Sequence, residues 1–245
     1  MPNLIRFGTG GRGASISAPI IGKDFNWSGG DGTYQVLDDG GGNWRIKFLS
    51  SGTFTPLKNM VVDAFLVGAG GGKSWAFCGG GGSGYTTTVR SVVLAANTAY
   101  PITVGAAGTN GNSNTLNGTK GGTTSAFAAS APGGEASERG YTSPKKPGAD
   151  GGSGGGGLNT SGVHANSSTA TGGTDGGDGT TATTAGGKGQ GTTTREFGEA
   201  DGDLYASGGG DNLTATVPNS GNGGAYNVEP ANGIVVIRQH KEVAA

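Results

Sequence analysis

Apolar and polar residues alternate over Asn43-Trp-Arg-Ile-Lys-Phe-Leu49, placing Trp44, Ile46 and Phe48 on one face and Arg45 and Lys47 on the other. A period of two is the signature of a half-buried strand. Ser51–Thr55 and Pro56 read as a turn, and Met60–Val67 is an apolar run of strand length that stops abruptly at glycines. Its Val and Phe content and that glycine stop favour a buried strand over a helix. Alternation returns over Gly84–Leu94, Tyr100–Val104 is a further short strand, and Gly233-Ile-Val-Val-Ile-Arg238 is the last. The closing strand is expected to pair with the early group, giving a small antiparallel β base with strands near 43–49, 60–67, 84–94, 100–104 and 233–238.

Between Gly105 and Asn232 the pattern vanishes. These 128 residues hold only twelve of the set Ile, Leu, Val, Met, Phe, Tyr and Trp, but 34 glycines. Side-chain burial on that scale cannot offset the entropy of ordering the chain. Collagen is excluded, because no strict Gly-X-Y period runs through the segment. The ordered alternative is a bundle of glycine helices of polyproline-II type, with three residues per turn and no internal hydrogen bonds. Their N–H and C=O groups would pair with neighbouring rods at a distance that only glycine permits. Candidate rods are Gly68–Gly72, Gly79–Gly84, Gly148–Gly157, Gly172–Gly179, Gly186–Gly191, Gly208–Gly210 and Gly221–Gly224. The fold class expected is therefore mainly β and irregular, a β base carrying a polyglycine-II bundle with essentially no α-helix. The divisions are 1–32, an extended attachment arm; 33–104, the base with the first rods; 105–232, the glycine bundle with its loops; and 233–245, the closing strand and tail.

Composition sharpens this picture. Glycine supplies 56 of 245 residues, roughly three times its usual share, and the formal net charge is −1. With 16 basic and 17 acidic residues interspersed, nucleic acid and anionic membranes are not expected partners. No apolar stretch reaches the roughly 18 residues of a membrane span, and Met1-Pro-Asn-Leu-Ile-Arg lacks a secretory pattern, so synthesis in the cytoplasm is expected. Cys78 is the only cysteine, which leaves it the role of a small apolar filler.

The chemical motifs are weak. Gly68-Ala-Gly-Gly-Gly-Lys73-Ser74 is one residue short of a phosphate-binding loop, and four glycines from Gly79 would end the helix such a loop must open. Gly8-Thr-Gly-Gly-Arg-Gly13 fits a dinucleotide fingerprint only as glycine-rich chains do by chance. Asp175 and Asp178 read as a solvated turn rather than a calcium repeat. His164 and His240 have no partner at ligand spacing, and Asp201 and Asp203 sit in a Gly/Asp turn. The sequence points to no enzyme, no cofactor and no metal.

A further set of motifs occurs in a characteristic order. Val61-Val-Asp-Ala-Phe-Leu-Val-Gly-Ala-Gly-Gly-Gly is followed by Gly79-Gly-Gly-Gly-Ser-Gly-Tyr-Thr-Thr-Thr-Val and Tyr100-Pro-Ile-Thr-Val-Gly. Then come Gly189-Gln-Gly-Thr-Thr-Thr-Arg-Glu-Phe-Gly-Glu, Leu204-Tyr-Ala-Ser-Gly-Gly-Gly and Gly233-Ile-Val-Val-Ile-Arg. Over about residues 43–238 this resembles the glycine-rich-domain tail proteins of phages and prophages, particularly those of Gram-positive hosts. In architecture it is similar to the tail-fibre adhesins of T-even-like phages, which carry a polyglycine-II helix sandwich. The family commonly has a long glycine run before the last strand, whereas Ser220–Val228 is short and mixed, so a truncated last rod is expected.

The resemblance implies a virion tail component, a tail-tip or tail-fibre adhesin that binds a host receptor through loops between rods. The candidate contact residues are Trp75, Phe77, Tyr141, Lys145, Lys146, His164 and Tyr226. Exposed aromatics on rigid supports give large contact area at small entropic cost. The bland role for Trp75 and Phe77 is to cover the open end of the bundle. Arg195, Glu196 and Phe197, within the most specific motif, are expected to be structural, a Phe plug flanked by an adjacent ion pair. The partners implied are other tail or baseplate proteins, reached through the N-terminal arm, and a bacterial cell-surface glycan or protein. Homo-oligomerisation is compatible. The competing readings are a purely architectural tail part and an extracellular ice- or polysaccharide-binding protein.

Overall fold

The computed structural model describes residues 18–75, 78–113, 116–139, 147–157, 172–174, 176–180, 185–188, 194–210 and 213–240. Ten strands form two antiparallel sheets, and no α-helix occurs among the described residues. The strands are β1 (Phe25–Trp27), β2 (Tyr34–Gly40), β3 (Asn43–Phe48), β4 (Gly52–Pro56), β5 (Met60–Val67), β6 (Thr86–Leu94), β7 (Tyr100–Thr103), β8 (Thr124–Ala126), β9 (Ala129–Ala131) and β10 (Ile234–Gln239). The first sheet runs β1-β4-β7-β8-β9 and the second β2-β3-β10-β5-β6. As expected, the closing strand joins the early group: β10 lies between β3 and β5, with Val236 opposite both Lys47 and Phe65.

The sheets pack face to face. Phe25, Phe54 and Ile102 from the first meet Ile46, Phe48, Ala64, Leu66, Val235 and Ile237 from the second in one buried cluster. The alternation of β3 follows directly, since Trp44, Ile46 and Phe48 point into this core. β5 and β10 are covered on both faces, which is why they read as largely apolar runs, with Asp63 and Arg238 the charged exceptions. Two expectations are corrected by the structure. Gly52–Pro56, expected as a turn, is strand β4, with its Phe54 fully buried and Pro56 only at its end, where no further ladder donor is needed. Within the stretch expected as an arm, Phe25–Trp27 pairs with β4 and places Phe25 in the core.

The glycine segments pack as rods whose hydrogen bonds repeat every third residue. Gly68 and Gly71 donate to Tyr85 O and Gly82 O, while Ala69 and Gly72 donate to Gly122 O and Thr119 O. Gly70 donates to a third neighbour, Ala231 O, at 2.9 Å. The returning rod behaves alike. Gly80 and Ser83 donate to Gly156 O and Ser153 O, Gly81 and Gly84 to Gly224 O and Gly221 O, and Gly82 and Tyr85 to Glu135 O and Pro132 O. A three-residue period directed at three different neighbours is the geometry of a polyglycine-II helix.

Only glycine fits at these contacts. A Cβ on Gly81 would overlap Gly71 O, one on Gly80 would overlap Gly209 O, and one on Gly70 would overlap Asn222 O. In the peripheral rod 105–111 the period is visible in burial: Gly105, Gly108 and Gly111 face inward while Ala106 and Thr109 are exposed. The last rod is not truncated in effect. Gly221 and Gly224 accept from Gly84 and Gly81, and Gly224 donates to Gly71 O at 2.8 Å, so four residues suffice to seat it between the two central rods.

Candidate functional site

The rods carry the chain away from the sheets and back, which gathers reversals at the far end. β5 runs into the rod 68–73, and the antiparallel rod 79–85 runs back into β6. At this end Asn110 joins three segments. Its Oδ1 accepts from Lys73 N–H at 2.7 Å, and its Nδ2 donates to Val228 O at 2.9 Å. Ser74 extends the joint, taking its N–H to Ser137 Oγ at 3.0 Å and accepting from Gly118 N–H at 2.8 Å. Cys78 is buried here as the filler expected, its thiol donating to Ser74 O at 2.9 Å.

From this fixed platform large side chains project. Trp75 is 43% exposed, Leu116 51% and Tyr226 69%. Trp75 and Tyr226 were marked by the sequence, but Leu116 was not. The organising residue, Asn110, carried no sequence signal beyond its place before Gly111 at the end of a rod. Phe77, Tyr141, Lys145, Lys146 and His164 lie outside the described residues.

A second polar constellation lies on the outer face of the second sheet. Thr194–Tyr205 folds back on itself, with Tyr205 N–H bonded to Thr194 O at 3.0 Å and Glu196 N–H to Asp203 O at 2.9 Å. At its turn Phe197 adopts φ 57° and is 2% exposed. Together with Tyr205 it covers Phe65, Val67, Ile234 and Val236. Phe197 is thus a plug, but its flanking ion pair is not the adjacent one expected. Arg195 donates to Gly202 O at 2.9 Å, whereas Glu196, also 2% exposed, accepts from Arg45 at 2.7 Å and Tyr205 OH at 3.1 Å and lies 3.3 Å from Lys47 Nζ. The reason is geometric: at this turn Glu196 points into the sheet, where the polar face of β3 supplies Arg45 and Lys47.

The charges around it are tuned by this arrangement. Burial pushes the Tyr205 phenol up to about 12, with the Glu196 carboxylate adding to the effect. Asp63, on β5, is buried, which opposes ionisation. Hydrogen bonds from His240 and Ser91 and the charge of Arg238 nevertheless hold its carboxyl below the usual carboxylate range. An open cleft of about 200 Å³ separates the hairpin from β2 and β3, bordered by Asp39, Trp44, Arg45, Glu199, Asp201 and Arg238. Its arginines are committed, Arg45 to Asp39 and Glu196, Arg238 to Asp63 and Glu199. Such a cleft has no uncompensated cation with which to take an anionic substrate. Among the described residues no group of three or more His, Cys, Asp and Glu side chains has the placement of a metal site.

No curated protein matches the chain. A family model described as a glycine-rich domain matches residues 48–238, from β3 through every described rod to β10. With well over half of its length matched, this chain belongs to the glycine-rich domain family.

Proposed function

We propose that this protein is a non-enzymatic structural component of a phage or prophage tail. In this reading it is a tail-tip or tail-fibre adhesin, and it touches a bacterial cell-surface glycan or protein with the end of the glycine bundle remote from the sheets. The observation that carries the reading is the exposure of Trp75, Leu116 and Tyr226 on a backbone platform fixed by Asn110 and Ser74. Large rings held on a stiff support lose little conformational freedom when they engage a partner, so more of the contact energy appears as affinity. The rods supply the stiffness, because each central rod is hydrogen-bonded to several neighbours. The sheets at the opposite end, together with the N-terminal residues, would join the rest of the tail.

The experiment is retention of fluorescently labelled full-length protein on a panel of Gram-positive and Gram-negative cells, with the double variant Trp75→Ala/Tyr226→Ala beside it. The adhesin reading expects retention on a subset of strains and at least tenfold less with the variant, at an unchanged melting temperature. Retention on no strain, or equal retention of both proteins, would overturn it.

A further inference from the structure

We propose that the Thr194–Tyr205 hairpin is an acid-released flap over the outer face of the second sheet. Its own backbone is closed on itself, since its backbone hydrogen bonds run within it: Gly198 to Arg195 O, Glu199 to Glu196 O, Gly202 to Glu199 O and Tyr205 to Thr194 O. Among the described residues no backbone-to-backbone hydrogen bond joins it to the sheet beneath. What fastens it are side chains: two rings, the hydrogen bonds of Arg90 to Phe197 O and of Lys47 to Tyr205 OH, and a larger set of ion pairs that depend on carboxylates.

Each packed element contributes. From β3, Arg45 and Lys47 reach Glu196, and Lys47 reaches Asp203 at 3.1 Å. From β10, Arg238 reaches Glu199 at 2.7 Å and lies 4.2 Å from the centre of the Phe197 ring. From β6, Arg90 donates to Phe197 O at 2.7 Å. Arg90 and Arg238 are in turn held by Asp63 on β5, at 3.2 Å and 3.3 Å, and His240 meets the same carboxylate at 2.6 Å. From β2, Asp39 holds Arg45 at 2.9 Å, and Asp201 borders the cleft between.

At neutral pH these carboxylates separate Arg45, Lys47, Arg90 and Arg238. Protonating them leaves Arg45, Lys47, Arg90 and Arg238 facing one another under the flap, with Arg195 upon it. The fastenings then become a repulsive patch, opposed by the contacts of Phe197 and Tyr205 with Phe65 and their neighbours, by Arg238 over the Phe197 ring and by the bonds of Arg90 and Lys47 to Phe197 O and Tyr205 OH. The sandwich depends on carboxylates far less, chiefly through Asp63, which joins β5 to Arg238 of β10 and Arg90 of β6. Its strands are joined by backbone ladders, and its core between the sheets is apolar. Release of the flap would uncover an apolar strip of Phe65, Val67, Ile234 and Val236 without melting the sheets.

The test is amide hydrogen exchange of the full-length protein, read by mass spectrometry at pH 7 and pH 3 and corrected for the intrinsic effect of pH. The flap predicts that residues 194–205 lose protection at least tenfold at pH 3 while 60–67 and 234–239 keep theirs. Glu196→Gln should reproduce part of the loss at pH 7, and binding of an apolar dye should rise with it. Undiminished protection of 194–205 at pH 3, or its loss only together with the strands, would overturn the proposal. Both of these results are read from the unmodified protein, so neither depends on the variant folding.

Discussion

The Arg238 guanidinium sits 4.2 Å from the centre of the Phe197 ring while bridging Asp63 and Glu199 at 3.3 and 2.7 Å. One side chain of the closing strand thereby ties the most distinctive motif of the sequence to the middle of the second sheet. Phe197 is also in contact with Phe65, ring centres 6.1 Å apart. Phe197→Ala should cost about 3 kcal/mol or more, the range for emptying a buried aromatic site. Urea unfolding would show this as a lowered midpoint at unchanged slope, and a cost below about 1 kcal/mol would refute the plug role.

Backbone contact between rods makes a sharper prediction. Gly81→Ala would drive its Cβ into Gly71 O, and backbone on both sides leaves nothing to swing aside. The expected loss is about 3 kcal/mol or more, toward the upper end of overpacking costs. Gly40, at φ +77° with open space around it, is the control: Gly40→Ala should cost only about 1 kcal/mol for its strained backbone. Thermal melts of the two variants compare them directly.

The hairpin between β8 and β9 offers a gain. Phe127 and Ala128 both have positive φ, 52° and 61°, where side chains are disfavoured. Phe127 offsets this by packing 6.0 Å from Tyr100, but exposed Ala128 has no such compensation. Ala128→Gly should therefore stabilise the protein by about 0.5–1 kcal/mol, the strain removed less the added freedom of the unfolded chain. A higher urea midpoint would register it.

Stability should fall at both ends of the pH scale. The Asp63 carboxyl has a lower pKa in the folded chain than in the unfolded one, so its contribution is complete above about pH 4 and fades as pH drops through the folded value. The Tyr205 phenol has a raised pKa, so its contribution is complete below about pH 10 and fades as pH climbs toward 12. Urea midpoints measured from pH 3 to 12 should show a plateau between, and Tyr205→Phe should reduce the alkaline decline.

At the remote end, Asn110→Ala removes the acceptor for Lys73 N–H and the donor to Val228 O. The cost should be about 1–3 kcal/mol for the groups left unpaired, with the turn carrying Tyr226 loosened first. Exchange of the amides around 225–228 would report it before any change in the sheets.

Half of the strands were legible because their side chains follow a rule of their own. β3 alternates, β5 and β10 are apolar but for Asp63, Arg238 and Gln239, and β6 and β7 carry Val, Ile, Thr and Tyr. The others were hidden by composition. β8 and β9 read Thr-Ser-Ala and Ala-Ser-Ala, and their turn uses Phe127 and Ala128 where a glycine pair would have announced it. β1 and β4 are short, and each has only one phenylalanine at the centre of its packing. The rods were legible in kind, because only glycine can pack backbone against backbone. Which rod meets which was not legible, since the contacts are made by atoms common to every residue. The flap shows the same limit for charge: Arg45 and Glu196 are 151 residues apart, and no local spacing points from one to the other.

The bundle is a rigid support only if its glycine segments are solid, rods joined by N–H···O=C bonds with a period of three. Site-resolved amide exchange tests this most directly, by comparing Gly70–Gly72 and Gly80–Gly84 with strand residues Phe65 and Val236. The rods should exchange as slowly as the strands, because Gly71 and Gly81 donate to Gly82 O and Gly224 O at 2.9 Å in the middle of the bundle. Exchange of these glycines at the rate of an unstructured chain, with Phe65 and Val236 still protected, would contradict it.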